Sequence, residues 1–441
     1  MENKYLRPVT LKNILKFAIP TIVMTVFMSF YTMVDGLFVS NLIGTDALSA
    51  INLTAPVISL VTAISTMLAT GGSAVIMRKM GEQKTAEANE DFTFLILANV
   101  IAGLFMSAVG YLLVGRIFSG MDLSAAVAAY CIEYLNRYLL FVVPILLMNN
   151  FTLYMIAAGK SFLSMVCSIA GGVLNIVLDY VLIAIFDMGI GGAAIATGLG
   201  YTVTSVVGLF LFSGRKSLLH FARPVCREKT LISAAANGSS EMASALVTGI
   251  VTLMFNRAML TYVGENGVAA ITIIMYVLMF ATSLYTGYSY GVAPMISYYY
   301  GEGNHEKLKK LVRMSLKVIG SIALAAVILS YAATEPLVAV FTRPDNPVYD
   351  LAVAGNRICT PALLLIGFNI FGSSLFTALS NGAVSAVLAF LRSFVFMVIA
   401  MLILPAVLGV TGIWLATPIA ELLAFLLTAA LFLRYKKRYQ Y

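Results

Sequence analysis

The chain has 441 residues, of which 60% are hydrophobic and only 11% are charged, and its mean hydropathy is +0.94. This composition excludes a water-soluble globular protein, because so few charged side chains could not cover the surface of a soluble fold. Continuous apolar runs of about 20 residues or more indicate membrane-spanning α-helices and exclude a β-barrel. We therefore expect an all-α integral membrane protein.

The formal net charge of +8 does not indicate nucleic-acid binding, because the basic residues lie in short loops between the apolar runs. The four cysteines have no C-x-x-C spacing and there are only two histidines, so we predict no metal site and no disulfide framework. We expect no cofactor apart from a coupling ion, and no nucleic-acid partner.

An enzymatic function is also not indicated. Gly159-Lys160-Ser161 is similar to the end of a P-loop, but Tyr154 occupies the position of the required first glycine. No His/Glu metal motif and no serine nucleophile elbow occurs in the sequence. We predict that the protein is not an enzyme.

The apolar runs between polar breaks predict twelve transmembrane helices. They cover about residues 10–39, 46–78, 90–118, 123–157, 161–187, 189–213, 230–261, 267–298, 307–334, 346–379, 383–407 and 410–435. The polar, basic segment from Gly214 to Lys229 divides the chain, and we expect an N-lobe at residues 1–218 and a C-lobe at residues 219–441. Lys and Arg are concentrated in the loops on one side, which predicts a multi-pass plasma-membrane protein with both termini in the cytoplasm.

The first predicted helix contains Pro20 and Asp35. A proline removes one backbone hydrogen bond and permits a kink. A carboxylate at membrane depth is costly and is rarely tolerated without a use. A rise of about 1.5 Å per residue places Asp35 roughly 20–25 Å beyond the lysines of the N-terminal arm, past the middle of the bilayer. We interpret this helix as a moving part.

The fifth predicted helix carries Asn175 and Asp179, which share one face because they are four residues apart. Carboxyl groups in an apolar span suit proton exchange near neutral pH. Carboxylate, carboxamide and hydroxyl oxygens would also coordinate a hard cation such as Na⁺. The residues alone do not choose between these ions, and each aspartate could instead cap a backbone carbonyl or pack against another helix.

A shift of 220 residues aligns the second half of the chain with the first. It pairs glycines and doublets at helix ends: Gly44 with Gly264, Gly71 with Gly291, Gly81-Glu82 with Gly301-Glu302, Asn136-Arg137 with Asn356-Arg357, and Gly189, Gly192, Ala196 and Thr197 with Gly409, Gly412, Ala416 and Thr417. Each half has six spans, so we expect two bundles related by a pseudo-two-fold axis along the membrane normal, with a cleft between them.

The same alignment distinguishes residues shared by both halves from the candidate ion-site residues, which occur in the first half only. The polar residues of the first half have apolar counterparts in the second: Asp35, Asn175 and Asp179 pair with Phe255, Val395 and Ile399. We therefore expect the ion site in the first bundle alone.

The sequence contains more candidate residues for a substrate cleft than for the ion site. Aromatic rings attract organic cations and methionine adapts its shape, so our candidates include Phe27, Tyr31, Met275, Tyr276 and Met279. Glu241 and Glu421 are carboxylates within spans of the second half, where they could bind a cationic substrate or pair between the bundles. Ordinary helix packing or lipid contact is the alternative for each aromatic residue and methionine.

Four segments together resemble the multidrug and toxic compound extrusion (MATE) family, in particular its DinF/MepA-like branch. They are Pro20, Val34 to Gly36, Asn175 to Asp179 and Gly189 to Thr197. The resemblance implies a 6+6 helix transporter that exports organic cations or other amphipathic compounds by alternating access, in exchange for H⁺ or Na⁺. It also implies that Asp35, Asn175, Asp179 and Thr197 form the cation-coupling site and that Pro20 is the hinge of the first helix.

The resemblance is incomplete in the second half. Some members of the family use carboxyl groups in the seventh and tenth helices; Glu241 could fill the first role, but the tenth predicted helix has only Asp350, at its start. We therefore favour H⁺ over Na⁺ as the coupling ion.

The main alternative function is a flippase of a lipid-linked saccharide, since such proteins share the superfamily fold. A flippase should have a strongly cationic cleft, whereas the interior signals here are mainly carboxylates. A channel would not explain acidic groups confined to one repeat. We expect a monomer in the lipid bilayer that acts on small cationic or amphipathic molecules.

Overall fold

The computed structural model describes residues 4–43, 45–121, 123–215 and 217–441, without the side chains of residues 4, 35–42, 45, 46 and 48. The described residues form sixteen α-helices: α1 (Leu11–Leu42), α2 (Thr45–Gly81), α3 (Thr85–Ser119), α4 (Ala125–Leu139), α5 (Val142–Ala157), α6 (Ser161–Asp179), α7 (Gly189–Ser213), α8 (Glu228–Tyr262), α9 (Glu265–Gly301), α10 (His305–Ala332), α11 (Thr334–Ala339), α12 (Pro347–Cys359), α13 (Leu363–Ala378), α14 (Gly382–Phe390), α15 (Phe396–Leu408) and α16 (Val410–Tyr439).

Short segments of other helical geometry interrupt or extend several spans. A π-helical segment, Tyr180–Ile185, continues α6, and another, Leu391–Val395, joins α14 to α15. A 3₁₀ turn, Thr360–Ala362, joins α12 to α13, and a further one, Lys4–Leu6, precedes α1. π-bulges within α-helices are frequent at functional sites.

Eleven helical stretches in the described residues are long and apolar enough to cross a membrane, and the bent pair of α4 and α5 makes a twelfth. The prediction of an all-α protein with twelve spans is therefore confirmed. One detail is corrected, because residues 123–157 do not form one straight helix: α4 and α5 meet at an angle of 56°. Pro144, near the start of α5, is a local reason for the break, because it has no N–H to donate to the Leu140 carbonyl and its ring would clash with that carbonyl in a continuous helix.

The lobes share a core on one side only. We call the side with Lys79, Lys160 and Lys307 the basic side. There a single apolar cluster contains residues of both halves, including Phe17, Met77, Phe92, Tyr154, Tyr288, Val292, Tyr299 and Phe371. On the opposite side each half has its own cluster, one with Ala50, Leu135 and Ile190 and the other with Phe255, Ile274 and Met401. The lobes are thus joined at the basic side and have separate cores at the opposite side.

Glycines allow this junction. A Cβ atom on Gly81 of α2 would overlap the carbonyl oxygen of Tyr298 on α9, and a Cβ atom on Gly301 of α9 would overlap that of Arg78 on α2. Gly81 and Gly301 are 220 positions apart, as are Arg78 and Tyr298. The two contacts are therefore exchanged by the pseudo-two-fold axis, which confirms the repeat.

A second pair of contacts follows the same symmetry. A Cβ atom on Gly71 of α2 would lie 2.7 Å from the backbone nitrogen of Gly238 on α8. A Cβ atom on Gly291 of α9 would lie 2.7 Å from Cα of Ala18 on α1. Gly291 lies 220 positions after Gly71, and Gly238 lies 220 positions after Ala18, so the pseudo-two-fold axis also exchanges these two contacts. Small residues permit such close backbone approach between membrane helices.

The N-terminal arm is held by both lobes. The hydroxyl group of Tyr5 donates to the Ala157 carbonyl at 2.6 Å, and its ring stacks on Tyr298 at 4.9 Å between centroids. The Tyr299 hydroxyl donates to the Tyr5 carbonyl at 3.1 Å. Burial, and then the neighbouring Tyr299 and Tyr298, raises the pKa of Tyr5 well above its ordinary value, so its hydroxyl remains a donor.

The linker between α7 and α8 lies along the start of α3. The His220 backbone N–H donates to Asn89 Oδ1 at 2.9 Å, and Arg227 Nη1 donates to Asp91 Oδ1 at 2.9 Å. The Asp91 carboxylate is fully buried and also pairs with Lys79 of α2. A buried carboxylate needs such partners to offset its lost hydration.

We predict that Gly81→Ala and Gly301→Ala each destabilise the protein by about 1–3 kcal/mol. The added methyl group would overlap a backbone carbonyl, which cannot move aside by changing rotamer. Gly249→Ala in α8 is the control, because nothing lies within 4 Å of its added Cβ. The measurement is the thermal unfolding midpoint of the purified protein in detergent. Equal midpoints for Gly81→Ala and Gly249→Ala would contradict the role of this junction.

Candidate cation and substrate sites

A close crossing of α6 and α7 positions the first polar cluster. A Cβ atom on Gly171 would lie 2.5 Å from the Gly200 carbonyl oxygen, and one on Gly200 would lie 2.7 Å from that of Gly171. Asn175 follows Gly171 by one turn and Thr197 precedes Gly200 by about one turn. Asn175 Nδ2 accordingly donates to Thr197 Oγ1 at 3.3 Å.

Both side chains of this pair are buried, Asn175 with 1% and Thr197 with 8% of its surface exposed. Asn175 Oδ1 accepts no hydrogen bond from the part of the chain that the structure describes. A buried amide oxygen of this kind is a strong acceptor with capacity for a further donor or a cation. The carboxamide therefore offers an oxygen at the point where α6 meets α7.

Asp179 extends the cluster by one turn. It is the last residue of α6, directly before the π-helical segment Tyr180–Ile185, and it has no exposed surface. It lies on the Asn175 face of the helix because four residues separate them. The structure thus places Asn175, Asp179 and Thr197 in one buried region of the first lobe.

α1 packs over the same region. A Cβ atom on Gly172 would lie 2.7 Å from Phe27 Cε1 and 3.7 Å from Tyr31 Cγ. Tyr31 and Asn175 both line a cavity of about 10 Å³ between α1, α6 and α7. This volume is near the lower limit for one water molecule, so the region has no space for an organic substrate.

Asp35 follows Tyr31 by four residues on α1, so the two positions lie on one face of that helix. The side chain of Asp35 lies outside the described residues. Its part in the cation site therefore stays a prediction.

The predicted hinge, Pro20, lies inside a continuous α1. The Thr21 hydroxyl donates to the Ala18 carbonyl at 2.8 Å, and the Thr25 hydroxyl donates to the Ser283 carbonyl of α9 at 2.7 Å. α1 therefore contacts the second lobe one turn after its proline. Bending at Pro20 stays a prediction.

Glu241 is half-buried on α8 and lines a cavity of about 30 Å³ between the lobes. Thr70 and Leu153 of the first lobe and Tyr290 of the second contribute to the same cavity. The Glu241 carboxylate therefore lies between the two lobes. Of the two acidic side chains predicted to line the cleft, Glu241 lines a cavity shared by both lobes and Glu421 does not.

Glu421 is placed differently, inside the second lobe. Arg392 Nε donates to both of its carboxylate oxygens at 3.0 Å, and Asn369 Nδ2 donates to Oε2 at 2.7 Å. Thr428 Oγ1 donates to Asn369 Oδ1 at 3.0 Å. The sequence analysis did not identify Asn369 and Thr428. The only sequence signal for them was that each is an isolated polar residue in an apolar span.

The remaining predicted cleft residues lie on α9. Tyr276 stacks on Phe341 with 5.7 Å between the ring centroids and 7° between the ring planes. Met275 packs against the separate core of the second lobe, and Met279 is half-buried. Their contact with a substrate stays a prediction.

Within the described residues there is no group of three or more His, Cys, Asp or Glu side chains that could hold a metal ion. The oxygen cluster of the first lobe, with one carboxylate, one carboxamide and one hydroxyl, fits a proton or a monovalent hard cation better than a transition metal.

Comparisons with known proteins agree with this architecture. Multidrug export protein MepA of Staphylococcus haemolyticus is 24% identical over 438 residues, which cover 97% of this chain and 94% of that protein. A solved structure of a MATE protein in the straight conformation has a TM-score of 0.92 and 25% identity, covering 100% of this chain and 98% of that one. An outward-facing multidrug resistance MATE transporter of the MOP superfamily has a TM-score of 0.89 and 25% identity, covering 97% and 95%.

The sequence model of the MatE family matches residues 20–181 and 242–403. The two matches include most of the chain, and one falls in each lobe. The chain therefore belongs to the MatE family of multidrug and toxic compound extrusion proteins, as the sequence motifs indicated.

Proposed function

We propose that this protein is a secondary active multidrug efflux transporter. It exports cationic or amphipathic organic compounds in exchange for H⁺. The observation that carries the proposal is the buried cluster of Asp179, Asn175 and Thr197, packed under α1 and located in only one of two symmetric lobes. The MepA relatives, which are named multidrug export proteins, support the substrate class.

The loops on the basic side are expected to face the cytoplasm, with both termini on that side, because Lys and Arg favour cytoplasmic loops. The lobes, proposed as residues 1–218 and 219–441, are then joined at the cytoplasmic side. With this orientation we infer that the separate cores of the two lobes lie on the outer side of the membrane. We propose that the arrangement is an outward-facing state, and that transport requires the glycine crossings of α2 and α9 to open in the alternate state.

Proton exchange is coupled to this movement through α1. In the outward-facing state a proton binds at Asp35 or Asp179, which removes a charge from a buried region. The packing of Phe27 and Tyr31 on Gly172 then changes, and α1 bends at Pro20. One charge that crosses 100 mV contributes about 2.3 kcal/mol, and each pH unit contributes about 1.4 kcal/mol, so one proton drives substantial accumulation.

Glu241 attracts the substrate cation on the floor of the cleft, next to the ring of Tyr290. No Lys or Arg lines this cavity among the described residues, and the charge of Glu421 is balanced by Arg392. A flippase for a diphosphate-linked saccharide would need cationic groups there, so export of organic cations fits the cleft better. We expect the transporter to act as a monomer without enzymatic activity.

We predict that Asp35→Asn and Asp179→Asn abolish coupled efflux and leave the protein folded. The amide retains the shape of the carboxyl group but cannot exchange a proton. The measurement is export of a fluorescent organic cation from cells that contain equal amounts of each variant. Phe255→Leu, at the repeat-equivalent of Asp35, and Asp345→Asn, on an exposed loop of the opposite side, are the controls. Wild-type export by either site variant would remove that aspartate from the mechanism.

We predict that a pH gradient alone drives transport in proteoliposomes in Na⁺-free buffer. A Na⁺ gradient at clamped pH and voltage should drive little, because the tenth predicted helix lacks the further acidic ligand that a Na⁺ site in the second lobe would use. Strong transport from the Na⁺ gradient, lost in Asp179→Asn, would replace H⁺ by Na⁺ at the same site. Transport that depends on neither the pH gradient nor the Na⁺ gradient would exclude antiport.

A further inference from the structure

The ion pair of Arg392 and Glu421 lies inside the second lobe and has no part in the proton exchange proposed above. Arg392 Nε is 3.0 Å from each carboxylate oxygen of Glu421. Only 6% of Glu421 is exposed, and only 20% of the Arg392 side chain. A buried ion pair adds little net stability, because the lost hydration offsets the attraction between the charges. Its presence within a membrane span therefore indicates a use.

The first lobe folds without such a pair. The shift of 220 residues aligns Arg392 with Gly172 and Glu421 with Tyr201. Gly172 and Tyr201 line the small cavity beside Asn175, so the first lobe builds the equivalent helices without an ion pair at these positions. The pair is thus not a requirement of the scaffold that the two lobes share. This favours a role that is specific to the second lobe.

A chain of hydrogen bonds fixes the Glu421 carboxylate. Asn369 Nδ2 of α13 donates to Glu421 Oε2 at 2.7 Å and to the Glu421 carbonyl at 3.0 Å. Thr428 Oγ1 donates to Asn369 Oδ1 at 3.0 Å, which orients the amide so that its nitrogen faces the carboxylate. All three residues are buried. The carboxylate is therefore held in one place, where it fixes the Arg392 guanidinium group.

Arg392 interacts with two carboxylates. It belongs to the π-helical segment Leu391–Val395, which packs against α16, the helix of Glu421, and against α8, the helix of Glu241. Within the described part of the chain its salt bridge is with Glu421 and not with Glu241. The guanidinium group also attracts the Glu241 carboxylate through space. Two carboxylates therefore compete for one cation.

The position of Arg392 decides the charge that Glu241 offers to the cavity between the lobes. Glu241 lines this cavity, and no other charged side chain of the described residues does so. A guanidinium group that paired with Glu241 would neutralise the carboxylate and weaken its attraction for an organic cation. An arginine keeps its charge in proteins, so a second carboxylate is needed to hold it away from Glu241.

We propose that Glu421 is a positioning residue for cationic substrates. Together with Asn369 and Thr428 it holds and neutralises Arg392, so that the Glu241 carboxylate stays free for the positive charge of a substrate. This inference rests on the role proposed above for Glu241 as the group that attracts the substrate. It adds to the substrate site a group of residues that does not line the cavity.

The test is the binding of two ligands to the purified full-length protein, measured by isothermal titration calorimetry. Methyltriphenylphosphonium is a lipophilic cation, and triphenylphosphine oxide is an uncharged molecule of nearly the same shape. We expect Glu421→Gln to weaken binding of the cation at least about tenfold, because it leaves the charge of Arg392 without its partner. Binding of the oxide should stay within about twofold. Equal weakening of both ligands would indicate a merely structural role and would overturn the inference.

A second substitution separates charge from packing. Glu421→Gln combined with Arg392→Gln removes both charges, so we expect the affinity for the cation to return to within about threefold of the wild-type value. Failure of this restoration would contradict the inference. Glu335→Gln is the matched control, because it also removes the acidic partner of an arginine, Arg357, but at an exposed position. It should change the binding of neither ligand.

Thr428→Val repeats the test with a variant of similar volume and unchanged charge, in case Glu421→Gln does not fold. It releases Asn369 and should weaken binding of the cation about two- to threefold. Glu241→Gln tests the proposed function itself: unchanged binding of the cation would remove Glu241 from the site, and the inference with it. Weakened binding in Glu241→Gln, together with wild-type binding in Glu421→Gln and Thr428→Val, would overturn the inference alone.

Discussion

The close backbone crossings of α2 with α8 and α9, and of α9 with α1, determine how the two lobes meet. They depend on glycines in symmetric positions, because a single Cβ atom at Gly81 or Gly301 would overlap the backbone of the other lobe. Such contacts are all-or-none, since two backbones either interlock or separate. The lobes can therefore be held firmly at the basic side while their cores remain separate at the opposite side.

α1 links this junction to the polar cluster. Toward the first lobe it covers Gly172, one turn from Asn175; toward the second, it meets Gly287 of α9 so closely that a Cβ atom there would lie 2.6 Å from Cα of Ile22. The hydrogen bond from Thr25 to the Ser283 carbonyl fixes the same contact. A change in the packing of α1 would therefore alter its contacts with both lobes. This is the physical route by which the proposed protonation of the polar cluster would act on the lobe interface.

Much of this arrangement could be predicted from the sequence, because the membrane constrains it. Span length, loop charge and the shift of 220 residues predict the spans and the repeat, and the four-residue spacing of Asn175 and Asp179 predicts their common face. Contacts between distant segments leave no such periodic signal. The pairing of Glu421 with Arg392 and Asn369, the bend between α4 and α5 and the docking of Tyr5 depend on tertiary packing and were not predicted.

The most direct test of this account is a pair of distance measurements between the lobes by electron paramagnetic resonance. One pair of spin labels replaces Gln83 and Glu306 on the basic side, and the other replaces Ser119 and Arg343 on the opposite side, after the exposed Cys226 is changed to Ser. Between acidic and alkaline buffers we expect the two distances to change in opposite senses, and Asp35→Asn to abolish the response. Distances that stay constant, or that increase together, would contradict a junction that opens on one side as it closes on the other.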